Sequence, residues 1–205
     1  MLTGQAIREG VHTGDITIDP FDEGQICANS YGFRLGRELL QYTAPPDGVL
    51  DARTDAPVTP TPIPDTGYVL HPGTLYLAST REIMGAARYA ATLHACRSVS
   101  SLGLRIQLSA PLGHCGAVIP WTLELRAAAA VRVYPDMVIG KIAFWPMQGV
   151  PSHYQGRYSG SPGAVRSLLS VGSGLGPGRE VIPSAGSAAP NHVETAPQRE
   201  VQPPR

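Results

Sequence analysis

Cysteine and excess charge are both scarce in this sequence. The 205 residues include three cysteines, Cys27, Cys96 and Cys115, and none of them belongs to a Cys-x-x-Cys pair. An odd number of cysteines without that spacing argues against a disulfide framework and against a four-thiolate zinc site. The formal net charge is +0, whereas proteins that bind nucleic-acid polymers usually present a strongly basic face. We therefore expect no nucleic-acid polymer among its partners.

Long apolar runs are also missing. No uncharged stretch approaches the ~20 residues that a helix needs to cross a bilayer. The first residues lack the charged region and the apolar run of a signal peptide. With 42% hydrophobic residues, the chain nevertheless has enough apolar side chains to build one core. These features predict a cytoplasmic globular protein without a membrane partner.

Most of the chain has the pattern of a mainly β protein. A short helix is predicted at residues 3–13, with Thr3 as its N-cap. Residues 45–64 are rich in proline, aspartate and threonine, which predicts a surface loop. Strands are expected where short apolar or alternating runs are separated by glycine and proline. These runs are residues 16–20, 30–40, 68–70, 75–77, 89–93, 104–109, 121–126, 131–133 and 139–145.

The last part of the chain has a different composition. Residues 159–205 consist largely of glycine, serine, proline, alanine and glutamine. Such a segment buries too little apolar area to offset the entropy that ordering would cost. We therefore predict one domain at residues 1–158 and a disordered tail at residues 159–205.

Five short runs occur in a distinctive order. They lie at residues 2–8 with 14–22, at 30–36 (S-Y-G-F-R-L-G), at 70–73 (L-H-P-G) with 77–82, at 134–141 (Y-P-D-M-V-I-G-K) and at 154–156 (Y-Q-G). Together they resemble the dCTP deaminases of the dCTP deaminase/dUTPase superfamily, whose patterns include S-Y-D-L-R-L-G, L-H-P-G and Y-P-G-M-x-I-G. The resemblance extends over residues 2–158.

The resemblance implies a fold, an assembly and a ligand. The fold is a distorted jelly-roll or dUTPase-like β-barrel with a short N-terminal helix. The assembly is a homotrimer with active sites between subunits, and the ligand is a nucleotide bound with Mg²⁺ through its phosphates. Deamination in this family uses no zinc, and the complete H-x-E…P-C-x-x-C signature of zinc deaminases is absent here. We predict no protein-bound metal; a zinc site would have to use His94, Cys96, His114 and Cys115.

Glu124 is the leading catalytic candidate. The family's active-site run, G-R-S-S-L-A-R-L-G-L, aligns without a gap with residues 95–104, and the same register places Glu124 on the family's general acid/base. The surrounding residues 121–125 otherwise form an apolar strand pattern. A carboxylate there must be neutralised, paired or exposed in a pocket, because unpaired burial of a charge is costly. The alternative interpretation is a strand-edge glutamate that faces solvent.

The rest of the run departs from the family pattern. Without a gap, Cys96 replaces an arginine that contacts phosphate, Arg97 replaces the catalytic serine, and Ser101 replaces the catalytic arginine. A shift by one residue would instead align Arg97 and Ser98 with the family's R-S. In both registers the second arginine is missing. Since arginine binds phosphate through a planar fork that a hydroxyl cannot imitate, the pocket chemistry is predicted to be altered.

The sequence therefore predicts two groups of site residues. The catalytic candidates are Glu124, Ser98 and Arg97. The substrate-binding candidates are Ser101, Ala110, His114, Tyr154 and Gln155. His114 stands where the family has an aspartate. Tyr154 is predicted either to stack on a base or to anchor the C-terminal segment.

These residues predict a nucleotide-processing hydrolase. Its substrate would be a pyrimidine (deoxy)nucleotide, attacked by a water molecule that Glu124 activates. The changed arginine positions predict that ordinary dCTP deamination is weak. The alternative is a non-catalytic protein of the same fold that binds a nucleotide or has a regulatory role.

Overall fold

Strands account for most of the regular structure in residues 1–170, which are the residues that the computed structural model describes. None of the helices in this part of the chain is long and apolar enough to cross a membrane. Besides a 3-10 turn at Glu23–Gln25, the elements are α1 (Gly4–Thr13), β1 (Ile16–Asp19), β2 (Tyr31–Tyr42), β3 (Val58–Pro62), β4 (Tyr68–Leu70), β5 (Tyr76–Ala86), β6 (Tyr89–Ala95), α2 (Arg97–Ser101), β7 (Leu104–Arg105), β8 (Leu112–Gly113), β9 (Ile119–Ala127), β10 (Val131–Val133) and β11 (Val138–Pro146).

Nine strands form one sheet that curls into a half-barrel. Its order is β7-β9-β5-β2-β11-β6-β8, with β1 paired to β5 and β3 paired to β2. Strands β10 and β4 form a separate two-stranded sheet. The prediction of a mainly β, distorted barrel with a short N-terminal helix is confirmed.

Strand β2 lies at the centre of the sheet, between β5 and β11. The sequence predicts that Tyr31, Phe33 and Leu35 share one face, and all three side chains are 0% exposed. The opposite face is also covered. A methyl group added at Gly36 would come within 2.7 Å of Ser79 Oγ. Burial on both faces therefore explains why glycines alternate with large apolar residues here.

A buried ion pair fastens β2 to β5. Glu82 has a side chain with 0% exposure, and its two carboxylate oxygens accept hydrogen bonds from Arg34 Nε (2.6 Å) and from Arg34 N (2.9 Å). The hydrogen bond to Glu82 raises the pKa of Arg34. Beside this pair, Thr80 Oγ1 donates to Glu82 O (2.7 Å) and accepts from Trp121 N (2.9 Å). The start of β9 is thereby held against β5 at an irregularity in their register.

Helix α1 begins and ends as the sequence predicts. Thr3 Oγ1 accepts a hydrogen bond from Ala6 N (3.2 Å), and Gly14 ends the helix with a φ of 81°. The left-handed conformation favours glycine at this position, because it lacks a Cβ. Ile7 is fully buried in the core, so α1 contributes one apolar face to the domain.

Replacing Thr3 with alanine tests this cap. The variant leaves the N–H of Ala6 without its side-chain acceptor, so the free energy of unfolding should fall by about 1 kcal/mol. Urea denaturation of the wild type and of Thr3→Ala measures the difference. Thr3→Ser keeps the acceptor and should retain most of the stability; equal losses in both variants would contradict a capping role.

The predicted loop at residues 45–64 contains one strand that the sequence does not reveal. Strand β3 pairs with the second half of β2 and includes Pro60 and Pro62. Proline is normally excluded from sheet interiors because it lacks an N–H donor, but an edge strand tolerates it. Because of the two prolines, the local sequence does not predict a strand here. Strand β3 forms through its pairing with β2.

The predicted strand at residues 104–109 is shorter than expected. Strand β7 ends at Arg105, and the chain then turns. The N–H groups of Leu108 and Ser109 bind the side chain of Glu124 rather than a neighbouring strand. The apolar pattern of these residues favours a strand. It cannot show that Glu124, far along the chain, accepts the hydrogen bonds that a neighbouring strand would otherwise accept.

Twelve residues beyond the predicted domain end are part of the described structure. Residues 159–170, here called the C-terminal arm, pack against the barrel through Thr122, Tyr42 and Asp55. The remainder of the predicted tail, residues 171–205, lies outside the described residues. The disorder of that remainder stays a prediction.

Candidate functional site

Glu124 lies on β9, between β5 and β7. One carboxylate oxygen, Oε2, accepts hydrogen bonds from the backbone N–H groups of Leu108 (2.6 Å) and Ser109 (2.7 Å). The backbone N–H of Glu124 in turn donates to Ile106 O (2.9 Å). The turn after β7 therefore holds the carboxylate in a fixed orientation. Because both donors use Oε2, the other oxygen remains available to accept a proton from a bound water molecule.

The Glu124 cavity has a volume of about 460 Å³, within the range of small-molecule sites. It brings together four of the predicted site residues, Glu124, Ala110, His114 and Tyr154. The remaining lining is mostly aliphatic, aromatic and hydroxyl-bearing, and includes Leu77, Gln107, Ser109, Ile119, Trp121, Thr122, Tyr158 and Ser161. Glu124 is thus half-buried on an inner strand and lines this cavity, whereas the alternative interpretation placed it at a strand edge facing solvent.

Two aromatic rings separate this cavity from a second one. His114 and Tyr154 stack with centroids 4.9 Å apart and an angle of 7° between their planes. Tyr154 N also donates to Cys115 O (2.9 Å). The ring stack and this backbone bond hold Tyr154 against the barrel, and stacking of its ring on a base stays a prediction. Gln155 lines the neighbouring cavity of about 600 Å³, which shares His114 and Tyr154 with the Glu124 cavity.

The C-terminal arm closes the Glu124 cavity on one side. Thr122 Oγ1 accepts a hydrogen bond from Val165 N (3.1 Å), and Tyr42 OH accepts one from Ser167 N (2.8 Å). Arg166 Nη2 donates to Asp55 Oδ2 (2.9 Å), and the same guanidinium makes a second contact with this carboxylate. Sequence reasoning missed this arm because its composition predicts disorder.

The predicted residues of α2 lie outside the Glu124 cavity. Arg97, Ser98 and Ser101 are exposed and are not among its lining residues. The Ser101 hydroxyl donates to Arg97 O (2.8 Å), one helical turn earlier. Cys96 precedes the helix, and burial raises the pKa of its thiol. One chain therefore brings together the β9 part of the predicted site, but not the α2 part.

The described lining of the Glu124 cavity does not supply enough oxygen ligands to hold a magnesium ion by itself. Mg²⁺ prefers an octahedron of oxygens that usually includes carboxylates. The cavity offers one carboxylate, and two backbone donors already occupy one of its oxygens. Across residues 1–170 no group of three or more His, Cys, Asp or Glu side chains is arranged to hold a metal ion. Binding of magnesium through the phosphate groups of a nucleotide stays a prediction.

Comparison with known proteins shows which family the chain resembles. The family model described as dCTP deaminase-like matches residues 1–147. The chain is 35% identical over 170 residues to a protein of Clostridium beijerinckii named dCTP deaminase, dUMP-forming, covering 82% of this chain and 96% of the relative. It is 36% identical over 170 residues to a dCTP deaminase of Rhodopirellula baltica, covering 82% of this chain and 84% of the relative.

A solved structure shares the fold. The 2'-deoxycytidine 5'-triphosphate deaminase of Agrobacterium tumefaciens superposes with a TM-score of 0.56 at 18% identity, covering 70% of this chain and 47% of that one. This chain thus spans about half the length of that protein, and the likeness concerns the fold alone. The resemblance drawn from the five sequence runs is confirmed. The chain belongs to the dCTP deaminase-like family.

Proposed function

We propose that this protein is a hydrolase that attacks the base of a pyrimidine nucleotide or nucleoside with a water molecule activated by Glu124. The observation that carries the proposal is the fixed carboxylate inside a cavity of ligand size. The relatives in Clostridium beijerinckii and Rhodopirellula baltica are named as deaminases of a pyrimidine nucleotide, which supports the same reaction class. A cytoplasmic location would suit this role.

The chemistry assigned to Glu124 is general base catalysis. A water molecule at Oε1 would lose a proton to the carboxylate while its oxygen forms a bond to an electron-poor ring carbon. The same carboxyl group can then return the proton to the departing group. The two backbone donors at Oε2 keep the carboxylate from rotating, so the base is oriented before the substrate binds.

The direct test is a panel of pyrimidine nucleosides, monophosphates and triphosphates assayed for release of ammonia and of phosphate or pyrophosphate. Release from at least one member supports the proposal. If all members bind without turnover, the protein is a binding or regulatory relative instead. Thermal shifts measured on the same panel identify such binding, since a ligand raises stability by mass action.

We also propose that the complete site is shared between copies of the chain. The α2 residues that align with the family's catalytic run lie on the exposed surface, outside the Glu124 cavity. Leu102, next to them, is an apolar residue with 61% exposure. A neighbouring copy that presents α2 at the cavity would cover this residue and add Arg97 and Ser98 to the site.

A homotrimer is therefore expected in solution. Light scattering coupled to gel filtration should give three times the chain mass of 21.7 kDa at micromolar concentration. Leu102→Glu should shift the mass towards monomer, because it places a charge in the proposed contact. Val150→Glu, at an apolar residue with 97% exposure, is the matched control. A wild-type protein with the mass of one chain would contradict a shared site.

A further inference from the structure

The lining of the Glu124 cavity carries little positive charge. Apart from His114, the ionisable side chains that line it are Glu124 and three tyrosines, and the rest of its described lining is aliphatic, aromatic, amide or hydroxyl. A triphosphate placed here would add several negative charges beside a carboxylate. Such a group needs cations or a metal to replace its hydration.

Within described residues 150–170, the two arginines, Arg157 and Arg166, both have partners in the chain. Arg166 is paired with Asp55 through two contacts. Arg157 Nη1 donates to Leu168 O (3.4 Å). Redirecting Arg166 to a phosphate would leave Asp55 without this partner and would loosen the arm over the cavity.

The residues at and before α2 also supply little positive charge for a phosphate group. Cys96 and Ser101 stand where the gapless register expects two arginines, and neither side chain carries a positive charge. Cys96 is half-buried at the start of α2, and the Ser101 hydroxyl is bound to Arg97 O. Even if a neighbouring copy brings α2 to the cavity, it adds one guanidinium, that of Arg97, in place of two.

We propose that this site selects a pyrimidine nucleoside without a phosphate chain. The inference rests on the proposed function and names its substrate class. An uncharged ligand needs no compensating cations, and the lining suits one. Trp121 and Tyr158 offer aromatic surface for a base. The Ser161 hydroxyl donates to Tyr158 O (2.7 Å) and can still accept a hydrogen bond from a sugar hydroxyl. The indole N–H of Trp121 is bound to Met84 O (2.9 Å), which fixes this ring.

The test compares binding of deoxycytidine, dCMP and dCTP with magnesium by isothermal titration calorimetry. It uses the full chain as wild type and as Glu124→Gln, which keeps the ligand from being turned over. The expected result is that deoxycytidine binds at least as tightly as either phosphorylated form, with an affinity that salt and EDTA leave unchanged. Tighter binding of dCMP or dCTP than of deoxycytidine overturns the inference, and so does binding of none of the three.

A pair of variants locates the nucleoside. Ser161→Trp places an indole in the cavity and should weaken deoxycytidine binding by about tenfold or more, a loss of about 1.4 kcal/mol. Ser159→Trp, at an exposed residue of the same arm outside the lining, should leave the affinity unchanged. Equal affinities in the two variants would show that the ligand binds elsewhere and would overturn the inference.

The outcomes separate this inference from the proposed function. Turnover of dCTP that depends on Glu124, together with tighter binding of dCTP, would keep the hydrolase and reject the nucleoside preference. Binding of deoxycytidine in the cavity without turnover of any substrate would keep the preference and reject the hydrolase.

Discussion

Glu124→Gln should lower the rate of hydrolysis by about 10²–10⁴-fold, the range typical for loss of a general base. Glutamine has nearly the same size, and its carbonyl oxygen can still accept the hydrogen bonds that Leu108 and Ser109 donate to the carboxylate. The substituted amide is not basic, so a water molecule in the cavity keeps its proton. We therefore expect the loss in kcat, with ligand affinity and thermal stability close to those of the wild type.

Glu38→Gln is the matched control for this experiment. Glu38 is an exposed carboxylate on strand β2 and is not part of the cavity lining. Its substitution makes the same chemical change without touching the site, so both kcat and KM should stay at wild-type values. Unchanged turnover in Glu124→Gln would remove this residue from the mechanism. A fall in kcat in both variants would point to a general effect on the protein.

Deamination of dCTP should be about 10²–10³-fold slower than in an authentic family deaminase, the usual cost of losing one preorganised donor. The family resemblance places an arginine, which would polarise the substrate, at the position of Ser101 in the gapless register and of Leu102 in the shifted one. In this chain the Ser101 hydroxyl donates to Arg97 O (2.8 Å), and it carries no charge to stabilise the anion that develops on the ring. The second arginine position, Cys96, is a half-buried thiol.

Ammonia release measured side by side with the Clostridium beijerinckii enzyme checks this result. Both proteins should be assayed at the same subunit concentration, with saturating dCTP and magnesium. Deoxycytidine in a parallel assay shows whether the deficit is specific to the triphosphate or applies to all substrates. A rate on dCTP within a few-fold of the relative would contradict the prediction, and Arg97 would then be the cation to test by substitution.

Much of the fold can be predicted because its signals are local. Helix α1 depends on Thr3, three residues before its capping partner, and on Gly14 at its end. Strand β2 follows from the alternation of Tyr31, Phe33 and Leu35, which are all buried. Periodicity and capping act over a few residues, so the sequence displays them directly.

The site is only half predictable, because its parts come from distant segments. Family resemblance identifies Glu124, Ala110 and His114, and the structure places them in one cavity with Tyr154. It does not reveal that Leu108 and Ser109 hold the carboxylate across 16 and 15 residues of sequence. The backbone of any residue can donate such bonds, so residue identity gives no signal for them.

The sequence by itself determined the β-rich fold, the family, the start and end of α1 and the choice of Glu124. Tertiary structure alone decided three further features. Strand β3 exists because an edge position tolerates Pro60 and Pro62. The C-terminal arm lies against the barrel because Ser167 bonds to Tyr42 across 125 residues. The cavity is a weakly charged cleft because β9 and the arm both line it. All three depend on contacts between segments far apart in the chain, and local composition does not encode such contacts.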